Sequence, residues 1–306
     1  MKTVKCTTPI KLKNILLATD LSEASLHAAR YAVSLAAQNG GKLYVAHVIS
    51  LDALVLAHPE ALDRILKEEN DYAECALDEL LAPARRQGLP CEALVGVRDI
   101  TNVLRGFGEK YEADLVVVGT SARAGLGKVF LGSVAEEIIR NAPCPVLTVG
   151  AKAADMMAPD ILNILCAIDF SQESLHASEY AFFLAQERKA HLTLLHVVGG
   201  SVDEPPFHAV QLLSQALREL ISLQSELFYE PEVVVSGGPV ADCILKVAAE
   251  RSAHLIVMGV RGVRAFASQA SRFGSIAHAV ISRSTCPVLT TSVGKGSPVT
   301  DFASDR

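Results

Sequence analysis

The amino-acid sequence contains one pattern twice, and this internal repeat constrains the fold more than any other feature. The segment Asn14-Ile-Leu-Leu-Ala-Thr-Asp20 returns as Asn163-Ile-Leu-Cys-Ala-Ile-Asp169, at an offset of 149 residues (14 to 163). Cys144-Pro-Val-Leu-Thr148 returns as Cys286-Pro-Val-Leu-Thr290 at an offset of 142 (144 to 286), so the second copy is slightly shorter within its loops. We therefore expect two domains of one fold, at 12–150 and 161–293. A linker at 151–160 joins them, and a flexible tail follows at 294–306.

Within each copy, short apolar runs alternate with longer segments of helical periodicity. The predicted strands of the first copy are 15–19, 42–49, 91–95, 115–118 and 146–149. Its predicted helices are 24–38 after an N-cap at Ser22, 59–87 with a kink or break at Pro83, 100–111 and 133–141. The predicted strands of the second copy are 162–168, 192–198, 232–235, 255–258 and 287–291. This alternation implies right-handed crossovers and a parallel sheet, so the predicted fold class is α/β, with two tandem Rossmann-like domains.

The composition fits such a core and argues against several classes of protein. Half of the 306 residues are hydrophobic, Trp is absent and aromatic residues make up only 5%, so the core must consist mainly of Val, Leu, Ile and Ala. A net charge of −6 offers no basic face for nucleic acid. The seven scattered cysteines include no CxxC pair, which favours reduced thiols in a cytoplasmic protein. No apolar run suits a signal peptide or a membrane span, so no membrane partner is expected.

Two segments of each copy are expected to meet at the carboxyl ends of the strands, where ligands bind in open parallel sheets. One follows the first strand and carries Asp20 or Asp169. In the first copy the other runs from Gly119 to Ser133, is rich in glycine and small residues, and leads into a helix. The amides and dipole of a helix N-terminus could hold a phosphate there. The alternative is that these glycines only form a tight turn and a cap.

Two further residue types recur in both copies. Asp20 and Asp169 have no paired acid nearby in the sequence, so ligand binding or helix capping is favoured over catalysis. His47 and His196 each precede a valine at the end of the second strand, which indicates a structural role rather than metal ligation.

The repeated segments, taken in their order and spacing, resemble the universal stress protein family. They are Ile15-Leu-Leu-Ala-Thr-Asp-Leu-Ser22, Ala46-His-Val48, Leu115-Val-Val-Val-Gly-Thr120, Leu131-Gly-Ser-Val-Ala-Glu136 and Ala142-Pro-Cys-Pro-Val-Leu-Thr-Val149. The likeness covers nearly all of both copies. It implies a five-stranded parallel sheet with helices on both faces in each copy. The ATP-binding branch of this family carries the motif Gly-x2-Gly-x9-Gly-Ser/Thr.

In the first copy the resemblance places this motif on Gly119, Ala122, Gly132 and Ser133, so alanine replaces the second glycine while the spacer (123 to 131) keeps its length. The adenine and ribose contacts that it implies are Ala18, Thr19, Asp20 and Val48. The phosphate contacts that it implies are Gly132, Ser133 and Val134. Val118 and Ser121, beside these positions, complete the predicted cofactor-binding site of the first copy.

In the second copy the motif falls on Gly259, Gly262, Gly274 and Ser275, with a spacer (263 to 273) two residues longer than in the first. Asp169 and Val197 stand where the first copy has Asp20 and Val48, whereas Ile168 replaces Thr19. The longer loop carries Arg261, Arg264 and Arg272, which could still close on an anion. The alternative is a site that has decayed or changed its ligand, so the first copy is the favoured ATP site.

The resemblance implies a cytoplasmic stress-response protein that binds ATP, with Mg²⁺ as an accompanying ion. The bound nucleotide would then favour or disfavour the interaction with an unidentified protein partner. Pairing of the predicted edge strands at 145–149 and 287–291 would make an intramolecular pseudo-dimer, and a homodimer of whole chains stays open. Two other functions stay open. One is a scaffold whose vestigial sites bind no nucleotide. The other is a weak ATP hydrolase, for which the sequence supplies no evident base.

Overall fold

A computed structural model of the chain describes residues 10–50, 59–120, 131–153, 160–199, 207–222, 227–260 and 275–292. The chain separates into two compact units, which are taken in turn. The first unit comprises Leu12–Pro159 and Ile281–Thr290, and the second comprises Asp160–Val280 with Met1–Lys11 and Thr291–Arg306.

Strands and helices alternate along the whole of the described chain. The strands are β1 (Asn14–Ala18), β2 (Lys42–Ile49), β3 (Cys91–Val97), β4 (Leu115–Thr120), β5 (Val146–Gly150), β6 (Asn163–Ala167), β7 (His191–Gly199), β8 (Glu232–Gly238), β9 (Leu255–Gly259) and β10 (Val288–Thr291). The helices are α1 (Glu23–Gln38), α2 (Pro59–Arg86), α3 (Ile100–Lys110), α4 (Ser133–Asn141), α5 (Gln172–Arg188), α6 (Phe207–Ser222), α7 (Val240–Glu250) and α8 (Ser275–Arg283).

The sheet of the first unit has the strand order β3-β2-β1-β4-β5, with all five strands parallel, and β10 pairs antiparallel with β5 through Leu289 and Leu147. The chain therefore builds outward from β1 to β3 and then returns to the other side of β1 for β4. In parallel sheets with right-handed crossovers, such a change in strand order places helices on both faces, and the carboxyl ends of the two strands beside it, here β1 and β4, are where ligands usually bind.

The sheet of the second unit repeats this plan with the parallel order β9-β6-β7-β8. Within this unit the amide of Val260, the residue after β9, donates to the carbonyl oxygen of Thr291 at 2.8 Å. The fourth strand of the copy, β9, again lies on the opposite side of the first strand, β6, from the second and third strands.

The central strands are buried on both faces. Consecutive side chains of a strand point to opposite faces, yet Ile15, Leu16 and Leu17 in β1 are all 0% exposed. Leu165 and Cys166 in β6 are equally buried. Helices must therefore cover both faces of each sheet, as in other parallel sheets, and the predicted α/β fold class is confirmed.

Most predicted elements agree with the observed ones to within one or two residues. Pro83 does not break the helix, since α2 continues past it and ends three residues later at Arg86. Because proline has no backbone N–H, the helix forms there without the hydrogen bond to the carbonyl oxygen four residues earlier. β8 extends to Gly238, three residues beyond its predicted end, because Ser236 and Gly237 pair with β7.

None of the six described cysteines forms a disulfide, and burial raises the pKa of both Cys144 and Cys166 to about 12. Cys6 lies outside the described residues. Among the described helices, none combines the length and apolar character that a bilayer crossing requires.

Candidate functional site

The carboxyl ends of three strands bring most of the predicted adenine-side residues of the first copy to one edge of the sheet. Ala18 pairs with Val118 of β4 on one side and with Ala46 of β2 on the other. Thr19 extends this edge, since its amide donates to the Ala46 carbonyl oxygen at 2.9 Å. Gly119 follows Val118, and Val48 lies two residues beyond Ala46. The predicted contacts on β1, β2 and β4 are therefore neighbours.

A tight turn after β1 presents Asp20 at this edge. Leu21 adopts a left-handed conformation with φ of 63°, which is unusual for a residue with a branched side chain. The amide and hydroxyl of Ser22 both donate to Asp20 Oδ1, at 3.0 and 2.5 Å. Ser22 is also the N-cap of α1, as predicted, and its Oγ accepts from the Ser25 amide. The turn and the helix cap thus hold an exposed carboxylate in a defined position.

These hydrogen bonds also set the charge of Asp20. Burial alone would raise the pKa of this carboxyl, but the bonds from the Ser22 hydroxyl and amide outweigh it and hold the pKa below its usual value of 3.8. Asp20 is therefore an anion at neutral pH, suited to accept hydrogen bonds from a ligand.

The depressed pKa of Asp20 predicts a pH-dependent contribution to stability. Because the folded-state pKa lies below the unfolded one, the stabilisation is present above about pH 4 and is lost as the pH falls through the folded-state value. Asp20→Asn should therefore unfold at a lower urea concentration than wild type at pH 7, and this difference should shrink as the pH falls below the usual carboxyl pKa of 3.8. Urea denaturation followed by circular dichroism across this range measures the difference. A gap that stays constant with pH would contradict the assignment.

The Thr19 hydroxyl is committed to the turn. It is buried, donates to Ser25 Oγ at 2.8 Å and accepts from the Leu21 amide at 3.0 Å. Sequence reasoning placed Thr19 at the site but missed Ser25. The signal was present, because the spacing Ser22-x-x-Ser25 recurs as Ser171-x-x-Ser174. The Thr19 hydroxyl therefore shapes the turn, and the predicted contact of Thr19 with the nucleotide stays a prediction.

The N-terminus of α4 is open in the way that anion binding requires. Gly132 is the N-cap, with φ of −64° and ψ of 149°, and makes no side-chain capping bond. A β-carbon added to Gly132 would meet no described atom within 4 Å. Gly132, Ser133 and Val134 are all exposed. Within the described part of the chain, the first residues of α4 are therefore exposed, and their amides carry the positive end of the helix dipole.

Four predicted site residues lie outside the described part of the chain, namely Ser121, Ala122, Gly262 and Gly274. The same holds for the arginines at 261, 264 and 272. Within the described residues, no group of three or more His, Cys, Asp or Glu side chains is arranged to hold a metal ion.

The second copy has the same turn, but some of the hydrogen bonds that hold it differ. Phe170 has φ of 62°, and the amide and hydroxyl of Ser171 donate to Asp169 Oδ1 at 3.0 and 2.5 Å. Ile168 is 3% exposed and offers no hydroxyl, and the Asp169 amide donates instead to Ser174 Oγ at 3.3 Å. Val197 is half-buried on β7 and Ser275 is exposed at the start of α8.

Gly259 in the second copy has a packing role. A β-carbon there would lie 2.4 Å from both the Glu173 carbonyl carbon and the Ser174 amide nitrogen, in the first turn of α5. The glycine therefore permits close contact between α5 and β9. This reason for glycine is independent of any ligand, so a role of Gly259 in phosphate binding stays a prediction.

Comparison with known proteins agrees with this arrangement. The Universal stress protein family matches residues 11–150 and again 161–292. A universal stress protein of Methanocaldococcus jannaschii is 37% identical over 143 residues, which are 45% of this chain and 81% of that protein. Another, from Mycobacterium tuberculosis, is 25% identical over 294 residues, which are 90% of this chain and 95% of the relative.

A crystal structure of a universal stress protein from Archaeoglobus fulgidus has a TM-score of 0.73 at 25% identity and covers 92% of this chain and 98% of its own. Some relatives therefore match one copy alone, and others match the two copies in succession. Since the family matches the two halves of the chain in succession, the protein belongs to the universal stress protein family, as a tandem of two such domains.

Proposed function

We propose that the first copy binds ATP at the carboxyl edge of β1 and β4, and that the protein acts as a nucleotide-dependent regulator in stress response. The observation that carries this proposal is the N-terminus of α4, where the N-cap is a glycine with no side chain and no described atom lies within 4 Å of a β-carbon added to it. Backbone amides in this setting are suited to phosphate oxygens.

The other residues of the first copy suit the rest of the nucleotide. ATP brings a chain of negative phosphates, with Mg²⁺ as their counter-ion, and an adenosine rich in hydrogen-bond donors. The amides of Ser133 and Val134 would bind phosphate, and Gly132 leaves room for close approach. The Asp20 carboxylate would accept from the sugar or base, and Val48 offers an apolar contact.

The second copy is the weaker candidate for ATP. Gly259 is explained by its contact with α5, and Ile168 replaces the threonine that shapes the turn in the first copy. We infer that the second copy has a different ligand or none. ATP binding in one copy would stabilise one state of the protein and so change its affinity for a protein partner.

Binding is favoured over hydrolysis. A general base works best when its pKa is near the working pH, whereas the pKa of Asp20 is held below 3.8. A time course of phosphate release from ATP should therefore show no turnover above the background rate. Multiple turnovers that are lost in Asp20→Asn would reverse this preference.

Calorimetric titration of the full chain with ATP, with and without Mg²⁺, tests the proposal, with GTP for comparison. We expect about one equivalent of ATP to bind, with weaker binding in Asp20→Asn and little change in the matched variant Asp169→Asn. No heat and no saturable binding in wild type would support the scaffold function instead. Weakening by Asp169→Asn alone would assign the site to the second copy.

A further inference from the structure

Each copy contains a histidine that extends the pairing of its first two strands by one bond. In the first copy the backbone ladder ends with Ala18 beside Ala46 and the amide of Thr19 on the Ala46 carbonyl oxygen. The next contact comes from a side chain, because His47 Nδ1 lies 3.0 Å from the Thr19 carbonyl oxygen.

The second copy has the same sequence of contacts. Ala167 pairs with Leu195, and the Ile168 amide donates to the Leu195 carbonyl oxygen at 2.8 Å. His196 Nδ1 then lies 2.7 Å from the Ile168 carbonyl oxygen. The imidazole contact is thus retained, although the residue whose carbonyl it binds changes from threonine to isoleucine.

The chemistry of the contact fixes the position of one proton. A carbonyl oxygen can only accept a hydrogen bond, so Nδ1 of each imidazole must carry hydrogen and donate. Neutral and protonated imidazole both satisfy this requirement.

The bonded carbonyl belongs to the peptide that leads directly into the aspartate. Fixing the oxygen of residue 19 fixes the plane of the Thr19–Asp20 peptide, and the next residue, Leu21, has an unfavourable left-handed φ. Strained backbone of this kind persists only where neighbouring groups hold it. In the second copy the ring of Phe170, the corresponding left-handed residue, also packs on His196 with 5.2 Å between ring centroids.

We propose that His47 and His196 are positioning residues that hold the aspartate turns at the ends of β1 and β6. The effect of His47 on ATP binding rests on the function proposed above, whereas its effect on the turn does not. The two effects can be measured separately, because the turn is observable without nucleotide.

Two variants separate the hydrogen bond from the bulk of the side chain. His47→Asn places an amide N–H close to the position of Nδ1, whereas His47→Leu keeps an apolar group there and leaves the carbonyl without its donor. In the full chain without nucleotide, hydrogen exchange of a peptide spanning residues 18–25 should quicken in His47→Leu and stay close to wild type in His47→Asn. His196→Leu should quicken exchange of the matched peptide 167–174 only.

ATP affinity provides the second readout. We expect His47→Leu to weaken binding about tenfold, the scale of one unsatisfied buried acceptor, and His47→Asn to restore it to within about threefold. Quicker exchange in His47→Leu, together with no ATP binding by the wild-type chain, would leave the positioning role intact and remove the proposed function. Unchanged exchange in His47→Leu, or equal effects of the leucine and asparagine variants, would overturn the inference.

Discussion

Replacing Gly259 with alanine is expected to lower the free energy of unfolding by about 3 kcal/mol, at the upper end of the usual cost of overpacking. The added methyl would lie 2.4 Å from backbone atoms of Glu173 and Ser174, and backbone cannot move aside as the tip of a flexible side chain can. Relief would require α5 to shift away from β9. Urea denaturation followed by circular dichroism measures the loss.

Gly199→Ala is the matched control within the same unit. There the new methyl would lie 3.6 Å from Val240 Cγ2, which is an ordinary van der Waals contact, so stability should change by less than about 1 kcal/mol. Equal stabilities for the two variants would contradict the close approach of α5 to Gly259. The position would then be free to serve a ligand, as its place in the glycine motif first suggested.

Replacing Gly132 with aspartate is expected to weaken ATP binding at least about 30-fold without harming the fold. The new carboxylate would cap the first amides of α4 and repel the phosphates, and like-charge contacts of this kind cost several kcal/mol. The fold should tolerate it, because Gly132 has an ordinary φ of −64° and open space around it. Aspartate is also a better N-cap than glycine, so stability should stay equal or rise by a few tenths of a kcal/mol.

Gly132→Asn separates charge from shape, since asparagine caps helices as well as aspartate does but carries no charge. We expect it to bind ATP more tightly than Gly132→Asp and less tightly than wild type. Calorimetric titration gives the affinities and thermal unfolding gives the stabilities. Wild-type affinity in Gly132→Asp would show that the N-terminus of α4 does not bind phosphate.

The fold could be predicted closely because the signals were local. Short apolar runs such as Ile15-Leu-Leu-Ala, bounded by polar turn residues, indicate buried strands, and the repeat supplied a second reading of each element. The misjudged end of β8 depended on non-local pairing: Ser236, Gly237 and Gly238 have low strand propensity and become strand through contact with β7.

Less of the candidate site than of the fold could be predicted from the sequence. The residue types at the strand ends could be identified from the repeat, and a structural role for His47 and His196 could be predicted; Nδ1 of each lies within 3.0 Å of a carbonyl oxygen at a strand end. The carbonyl oxygen that each imidazole contacts could not be predicted from the sequence, because it depends on where the backbone pairing of the first two strands ends. Gly259 illustrates the same limit, since the motif suggests a ligand while the packing distance to α5 gives an independent reason for glycine.

The most direct test of the proposed nucleotide site is to denature freshly purified full-length protein and identify any released small molecule by mass spectrometry, beside Gly132→Asp prepared in the same way. The account predicts adenine nucleotide from wild type, approaching one equivalent per chain, and little from the variant. No nucleotide from wild type, together with no thermal stabilisation by added Mg-ATP, would contradict it and leave the scaffold function as the better description.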